Sequence, residues 1–216
     1  MEHYSSGSLD TPLRFTAAES GASICLNHMR NISIDNTTED TSDNKLINLK
    51  YSLNGGTWNK YALGTTVNLD ENEYVEFKAL GKNETISKGF CNYYNFAIDK
   101  KVNASGNIQS LLVEDGFKDK LDVPACCYSY MFWKCTSLQT APQLPATALA
   151  SYCYYQMFGV CTGLQKAPDL PATTLADACY CNMFYGCTSL QKAPDLPATA
   201  LADSCYLRMF WKCTSL

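Results

Sequence analysis

Apolar and polar residues alternate over the first half of the chain, and then the rhythm changes. "LRFTA" and "SICLN" place every second residue on one face, the period of a half-buried strand. "LKYSLNGGTWNKYAL" sets two aromatic-rich runs about Asn54-Gly55-Gly56, and an Asn-Gly pair accepts the positive φ angles of a hairpin turn. "TVNLDENEYVEFKAL" predicts a second strand pair about Asp70-Glu71-Asn72, with "YYNFAI" and "NIQSLL" as later short runs. Short strands between polar turns predict a β-sandwich-like domain over 11–105.

Beyond that region the pattern lengthens. Met131, Met157, Met183 and Met209 each open the phrase Met-Phe-x-x-Cys-Thr, 26 residues apart with no insertion. A fixed period of this size marks a stack of units that bury their apolar faces only against one another. Leu138, Leu164 and Leu190, followed by Gln139, Gln165 and Gln191, begin a short extended piece. Ala-Pro-x-Leu-Pro-Ala-Thr follows, and its prolines limit each parallel strand to about three to five residues. The rest of the unit reads as a helix. In "TLADACYCNMFYGC", Leu175, Cys179 and Met183 lie four apart with Ala176, Tyr180 and Phe184 beside them, and Gly186 supplies a stop.

The expected fold class is therefore α+β: an N-terminal β-sandwich-like domain followed by a leucine-rich-repeat solenoid of 26-residue strand–helix units. Residues 1–10 read as an appended leader, 11–105 as the β-domain, and 106–126 as a junction whose "GNIQSLLVEDGF" forms a first strand and caps the stack. Residues 127–216 read as the repeats, truncated at the C-terminus, because "CTSL" stands where earlier copies enter their next strand. Met183 and Phe184 are expected between neighbouring repeats.

Composition narrows the function. An apolar content of 46% excludes a disordered chain. Residues 1–122 hold 12 Lys/Arg against 17 Asp/Glu, and 123–216 hold five against four, so no basic stripe suits nucleic acid. No apolar run is long enough for a membrane-spanning helix. Eight of the twelve cysteines recur in the repeats: Cys127, Cys153, Cys179 and Cys205, then Cys135, Cys161, Cys187 and Cys213. Equivalent positions in a stack point the same way, which favours two ladders of buried thiols over bridges or zinc sites. Cys126 and Cys181 fall outside these ladders, and Cys25 and Cys91 could join two strands. Both histidines, His3 and His28, lie outside the repeats, so no metal and no cofactor is expected. The repeated Gln and Thr positions suggest stacked side chains that satisfy turn backbone. The paired Asp169/Asp195 and Asp177/Asp203 read as exposed surface, and no catalytic set appears. Sequons stand at Asn31, Asn36, Asn83 and Asn103.

"CYYQMFGVCTGLQKAPDLPATTLADACY" and "MFYGCTSLQKAPDLPATA" resemble the BspA-like (Bacteroides surface protein A) leucine-rich repeats. "LKYSLNGGTWNKYALGTTVNL" and "VNASGNIQSLL" resemble the β-rich region that often precedes them. The resemblance implies a secreted or cell-surface bacterial protein acting in attachment, with no catalytic motif to carry over.

Positions that differ between copies are grouped. Tyr152, Tyr155, Gln156 and Gly159 fall at i, i+3, i+4 and i+7, a single helical stripe opposite the unchanging residues. Over all copies this stripe carries Tyr130, Trp133, Tyr152, Tyr155, Tyr185, Arg208 and Trp211. Those residue types dominate contact energy at interfaces. The function expected is a non-enzymatic interaction or adhesion protein whose partner is a protein or glycan on a host or neighbouring cell. Carbohydrate binding through the β-domain and a passive spacer are the alternatives. Self-association through the uncapped last repeat is a further expectation.

Overall fold

The computed structural model describes residues 8–33, 36–39, 47–87 and 92–216. The alternating first region forms strands β1 (Leu13–Ala17), β2 (Ala22–Ser33), β3 (Asn36–Glu39), β4 (Leu49–Leu53), β5 (Asn59–Tyr61), β6 (Val67–Leu69), β7 (Tyr74–Ala79), β8 (Asn92–Ile98) and β9 (Val102–Ser105). Strands β9, β1, β7, β4 and β5 lie side by side in one sheet, and β2 pairs with β3, β6 and β8 in another. Apolar residues meet between the sheets: Phe15 lies 4.8 Å and Phe77 5.6 Å from the Phe96 ring.

The hairpin at Asn54-Gly55 forms between β4 and β5, with both residues at positive φ. The second expected pair does not form. Across Asp70-Glu71-Asn72 the chain changes sheets, so β6 pairs with β2 while β7 lies between β1 and β4.

The junction also differs from expectation. "IQSL" forms a short 3-10 helix, Ile108–Leu111, whose start is capped by the Asn107 side chain accepting from Gln109 N–H. Every residue of that turn is buried, so no alternation marks it as strand or helix. Its polar groups are satisfied inward: Ser110 Oγ donates to Phe77 O at 3.0 Å, and Tyr128 Oη donates to Gln109 Oε1 at 2.8 Å. Gly106 makes this packing feasible. Its φ is +74°, and a Cβ there would lie 2.0 Å from Pro12 O. One hydrophobic core runs from Leu13 through the junction to Met209.

The largest correction concerns the repeats. The strand–helix unit is absent: among the described residues no α-helix forms, and the segments read as helices are successions of turns. The positive-φ residues show how. They fall every fourth position, at Cys126, Tyr130 and Lys134, then Tyr152, Gln156 and Val160, then Ala178, Asn182 and Gly186, then Ser204, Arg208 and Lys212. A left-handed residue at each fourth position prevents helix propagation. Gly186, expected to end a helix, is simply the third such corner of its coil.

Backbone hydrogen bonds divide by parity. In the second coil the N–H groups of Cys153, Tyr155, Met157, Gly159 and Cys161 close turns onto the carbonyl three residues back. The N–H groups of Tyr152, Tyr154, Gln156, Phe158 and Val160 instead reach Asp177, Cys179, Cys181, Met183 and Tyr185 in the next coil. Side chains then follow an in-in-out-out rhythm. Cys127, Tyr128, Met131, Phe132 and Cys135 point inward, and Tyr130, Trp133 and Lys134 point outward. A period of four is close enough to 3.6 that the pattern imitates an amphipathic helix over three turns.

Met183 and Phe184 are fully buried, in a column of turns and not on a helix face. Phe96, Phe132, Phe158, Phe184 and Phe210 stack in near-parallel steps of 5.2–5.7 Å. Tyr128, Tyr154, Tyr180 and Tyr206 form a second column. Cys161, Cys187 and Cys213 each donate a thiol hydrogen bond to the phenylalanine carbonyl of the preceding coil, at 2.9–3.0 Å. Cys135 does the same to Phe96 O at 2.8 Å. Phe96 N–H in turn reaches Met131 O, so strand β8 occupies the place of a coil before the first.

On the other side of each coil the extended pieces are brief. β11 (Leu138–Thr140) pairs in parallel with β9, and β10 (Asp122–Val123) with β12 (Ala148–Leu149). Later coils keep only single bridges, Thr140 to Lys166 and Ala148 to Thr174. Gln165 and Gln191 extend the ladder through their backbone N–H groups, and their side chains are exposed. Thr136, Thr188 and Thr214 are exposed as well, so neither set is the buried side-chain ladder expected of it.

Candidate functional site

All seven residues expected at a contact surface stand at an outer corner of the turn columns. Tyr130, Tyr152 and Arg208 are themselves left-handed corners, and Trp133, Tyr155, Tyr185 and Trp211 immediately precede one. In the first three coils the backbone is held there by turn closure and by bonds to a neighbouring coil, so each side chain leaves a fixed point.

The structure gathers these residues into two groups. Tyr130 lies 5.7 Å from Trp133 and 5.4 Å from Tyr155, and Tyr155 lies 6.0 Å from Tyr152. Tyr93 of β8 joins this group at 4.6 Å from Tyr130. Its membership was not legible, because no repeat phase connects β8 to the coils in the sequence. Asn95 beside it donates to the carbonyls of Tyr130 and Trp133 at 2.8 and 3.1 Å. Trp133 rests over Gly159, where a Cβ would come within 3.1 Å of the indole. The second group is Tyr185 with Trp211, 5.5 Å apart.

Cations cover the exposed ring faces. Lys134 Nζ sits 4.2 Å from the Trp133 ring centre, and the Arg208 guanidinium 4.8 Å from that of Trp211. Lys212 lies 5.4 Å from Trp211 and 5.7 Å from Tyr185. Such contacts contribute about 0.5–1 kcal/mol each at exposed sites. The result is a strip of half-buried aromatics edged by positive charge.

On the opposite side a groove of about 570 Å³ is lined by Pro142, Pro145, Pro168 and Pro171 together with Lys166 and Asp169. It falls in the size range of small-molecule sites, but Lys166 and Asp169 are both exposed and of opposite sign. The twice-repeated Ala-Pro-x-Leu-Pro was the signal that could have found it.

Other candidate chemistry is placed as follows. Among the described residues no cluster of three or more His, Cys, Asp or Glu is arranged to hold a metal ion. Burial pushes the thiols of Cys127 and Cys187 up to about 12 and that of Cys179 to about 11, so the ladders hold neutral thiols and not reactive thiolates. Asn83, a sequon residue, is buried and donates to Leu111 O and Asn48 O, a structural role incompatible with a surface glycan. His3, Cys91 and the side chains of Asn31 and Asn36 lie outside the described residues. Trp58, the aromatic on which sugar binding by the β-domain would depend, has Lys78 at 4.8 Å and Lys50 at 5.6 Å over its ring. No described helix is long and apolar enough to cross a membrane.

No protein-family model, curated protein or solved structure matches this chain.

Proposed function

We propose that the protein is a non-enzymatic interaction protein, secreted or held at a cell surface, that engages a protein or glycan on another cell through the outer corners of its turn columns. One observation carries this reading. Left-handed corners are least strained with Gly or Asn, and a bulkier residue there costs about 1–2 kcal/mol. The chain nevertheless places Tyr130, Tyr152 and Arg208 at such corners, and four further aromatics one residue before them. At these three corners a large side chain outside the core stands where Gly would be less strained, which an external contact would account for. Tyr, Trp and Arg also give rigid, amphipathic contact area. The stack beneath supplies the preorganisation that makes such a strip effective.

The test is binding of the purified chain to glycan arrays and to immobilised extracellular-matrix proteins. Tyr155, Tyr185 and Trp211 together changed to Ser should abolish binding while the far-ultraviolet spectrum is kept. Changing Lys166, Asp169, Lys192 and Asp195 to Ala should leave it intact. The opposite result would move the working face to the proline side and overturn the proposal.

A further inference from the structure

Register sets a row of polar side chains across the outer face of the sheet that carries β1 and β9. Thr16 of β1 stands opposite Asn103 of β9, Asn103 stands opposite Thr140 of β11, and Thr140 is bridged to Lys166 of the next coil. Directly opposed residues share one face of a sheet. A register shift between Leu138 and Thr140 brings Thr140, and not Gln139, opposite Asn103. Re-aiming a side chain in this way is a common use of a bulge. At about 4.8 Å per chain segment the row is about 14 Å long. All four residues line the groove on the proline side, while Phe15 and Val102, their neighbours in sequence, are buried in the core.

Asn103 differs from the structural asparagines elsewhere in the molecule. Asn83, Asn95 and Asn107 each donate to two backbone carbonyls. The Asn103 side chain, half-buried in the groove, has no hydrogen-bond partner among the described residues, and the same holds for the hydroxyls of Thr16 and Ser105 beside it. Amide and hydroxyl groups both donate and accept. Held half-buried without protein partners, they suit a bound molecule whose own groups do both.

We infer that this groove is a binding site for a neutral saccharide of one or two units. Of the residues lining it only Lys166 and Asp169 are charged, with opposite signs, so neither an anion nor a cation is favoured. The polar row matches the hydroxyls of a sugar. The proline rings, with the exposed Leu9 and Leu121, supply apolar surface for its C–H faces. A peptide is the poorer match. β9 is paired on both edges and Thr140 is already bridged to Lys166, so no further strand can be added there. The site is separate from the aromatic strip and does not rest on it. A ligand this small, held at millimolar affinity, leaves on the order of milliseconds and gives no signal on a washed array, so the two sites report in different assays.

The test is an NMR titration of the isotope-labelled 216-residue chain. The probes are glucose, galactose, mannose, N-acetylglucosamine, maltose, cellobiose and lactose, each taken to about 50 mM, well above a millimolar Kd. At least one should give saturable shifts of the Asn103 side-chain amide and of the Ser105, Thr140 and Ala167 backbone amides, leaving the Trp133 and Trp211 indoles unmoved. Asn103→Ala and, separately, Thr16→Val should each weaken that sugar by about fivefold or more with the urea midpoint kept. Changing Lys166 and Asp169 together to Ala should alter its affinity by less than about twofold. The inference is overturned if no sugar shifts these amides, if the shifts centre on the aromatic strip, if both single variants bind like the parent chain, or if the paired charge change abolishes binding. A capped, uncharged tetrapeptide that saturates the same amides more tightly than any of the sugars would equally overturn the saccharide class.

Discussion

The two halves of this molecule build β-rich structure by opposite means. In the β-domain, strands such as β1 alternate inward and outward with period two, positive φ is confined to turns such as Asn54-Gly55, and sheet ladders satisfy the backbone. In the stack, alternate N–H groups serve separate purposes, one set closing turns and the other joining coils, and each coil accepts left-handed residues at four-residue spacing. The first half owes its shape to local side-chain pattern. In the second, each coil is shaped by the coil beside it, because a lone run of such turns has half its backbone donors unsatisfied. Stability should therefore be local to strand pairs in one region and collective along the columns in the other.

The largest effect expected from this difference is alkaline melting of the stack. Eight repeated cysteines lie in the columns, and burial raises the thiols of Cys127 and Cys187 to about 12 and that of Cys179 to about 11, from an ordinary 9.0. The folded state thus holds protons that the unfolded state releases. The stability these thiols contribute is complete below about pH 9 and is lost as pH rises toward 11–12, by several kcal/mol in sum at about 1.4 kcal/mol per unit. Exchange at the coil amides should rise within that window before the amides shared by β1 and β7 respond. Simultaneous loss of both regions would remove the distinction between local and collective stability.

Next in size is the phenylalanine column. Phe158 is fully buried and stacked at 5.2 and 5.6 Å between Phe132 and Phe184. Phe158→Ala should cost about 3–5 kcal/mol by chemical denaturation. Phe210→Ala, at a rung with a ring on one side only, should cost less than half as much. Equal costs would mean that the column does not act through its neighbours.

The same contrast decides what could be read from the sequence. Strands β1, β2, β4 and β5 and the Asn54-Gly55 turn were legible because residues within a few positions specify them. The inward set of the first three coils was legible too, since Met-Phe and the two cysteines repeat and are buried. The conformation carrying them was not. An in-in-out-out rhythm fits a helix face nearly as well as a turn column, and the distinguishing corners are occupied by Cys, Tyr, Lys, Gln, Val, Ala, Ser and Arg, none of which announces a positive φ. Only Asn182 and Gly186 give that signal. The outward aromatics were found from variation between copies. Their division into two groups, and the addition of Tyr93, depended on contacts between coils that no single copy contains.

A smaller effect should come from Gly163. The other copies carry Ser137, Ser189 and Ser215 at this place, so sequence comparison would class a small side chain as harmless. In the second coil, however, a Cβ would lie 2.5 Å from Thr136 O. Gly163→Ala should cost about 1–3 kcal/mol, the range for overpacking. A cost near zero in the denaturation midpoint would show that adjacent coils can slide apart locally, against the collective rigidity assigned to the stack.

The smallest effect bears most directly on function. Val160 holds φ at +61°, a strained state for a β-branched residue, where the next coil has Gly186 at +71°. Val160→Gly removes about 1–2 kcal/mol of left-handed strain and adds about 0.5–1 kcal/mol of unfolded-state entropy. The Val160 methyl that stands 3.7 Å from where a Gly186 Cβ would lie is also removed. The balance should be a slight stabilisation, up to about 0.5 kcal/mol, and Gly186→Val should destabilise by about 1–2 kcal/mol. Urea midpoints of the two variants measure both. If Val160→Gly instead destabilises by more than about 1 kcal/mol, side chains at these corners support the coils. Tyr130, Tyr152 and Arg208 would then be explained by packing alone, and their conformational cost would no longer argue for a partner.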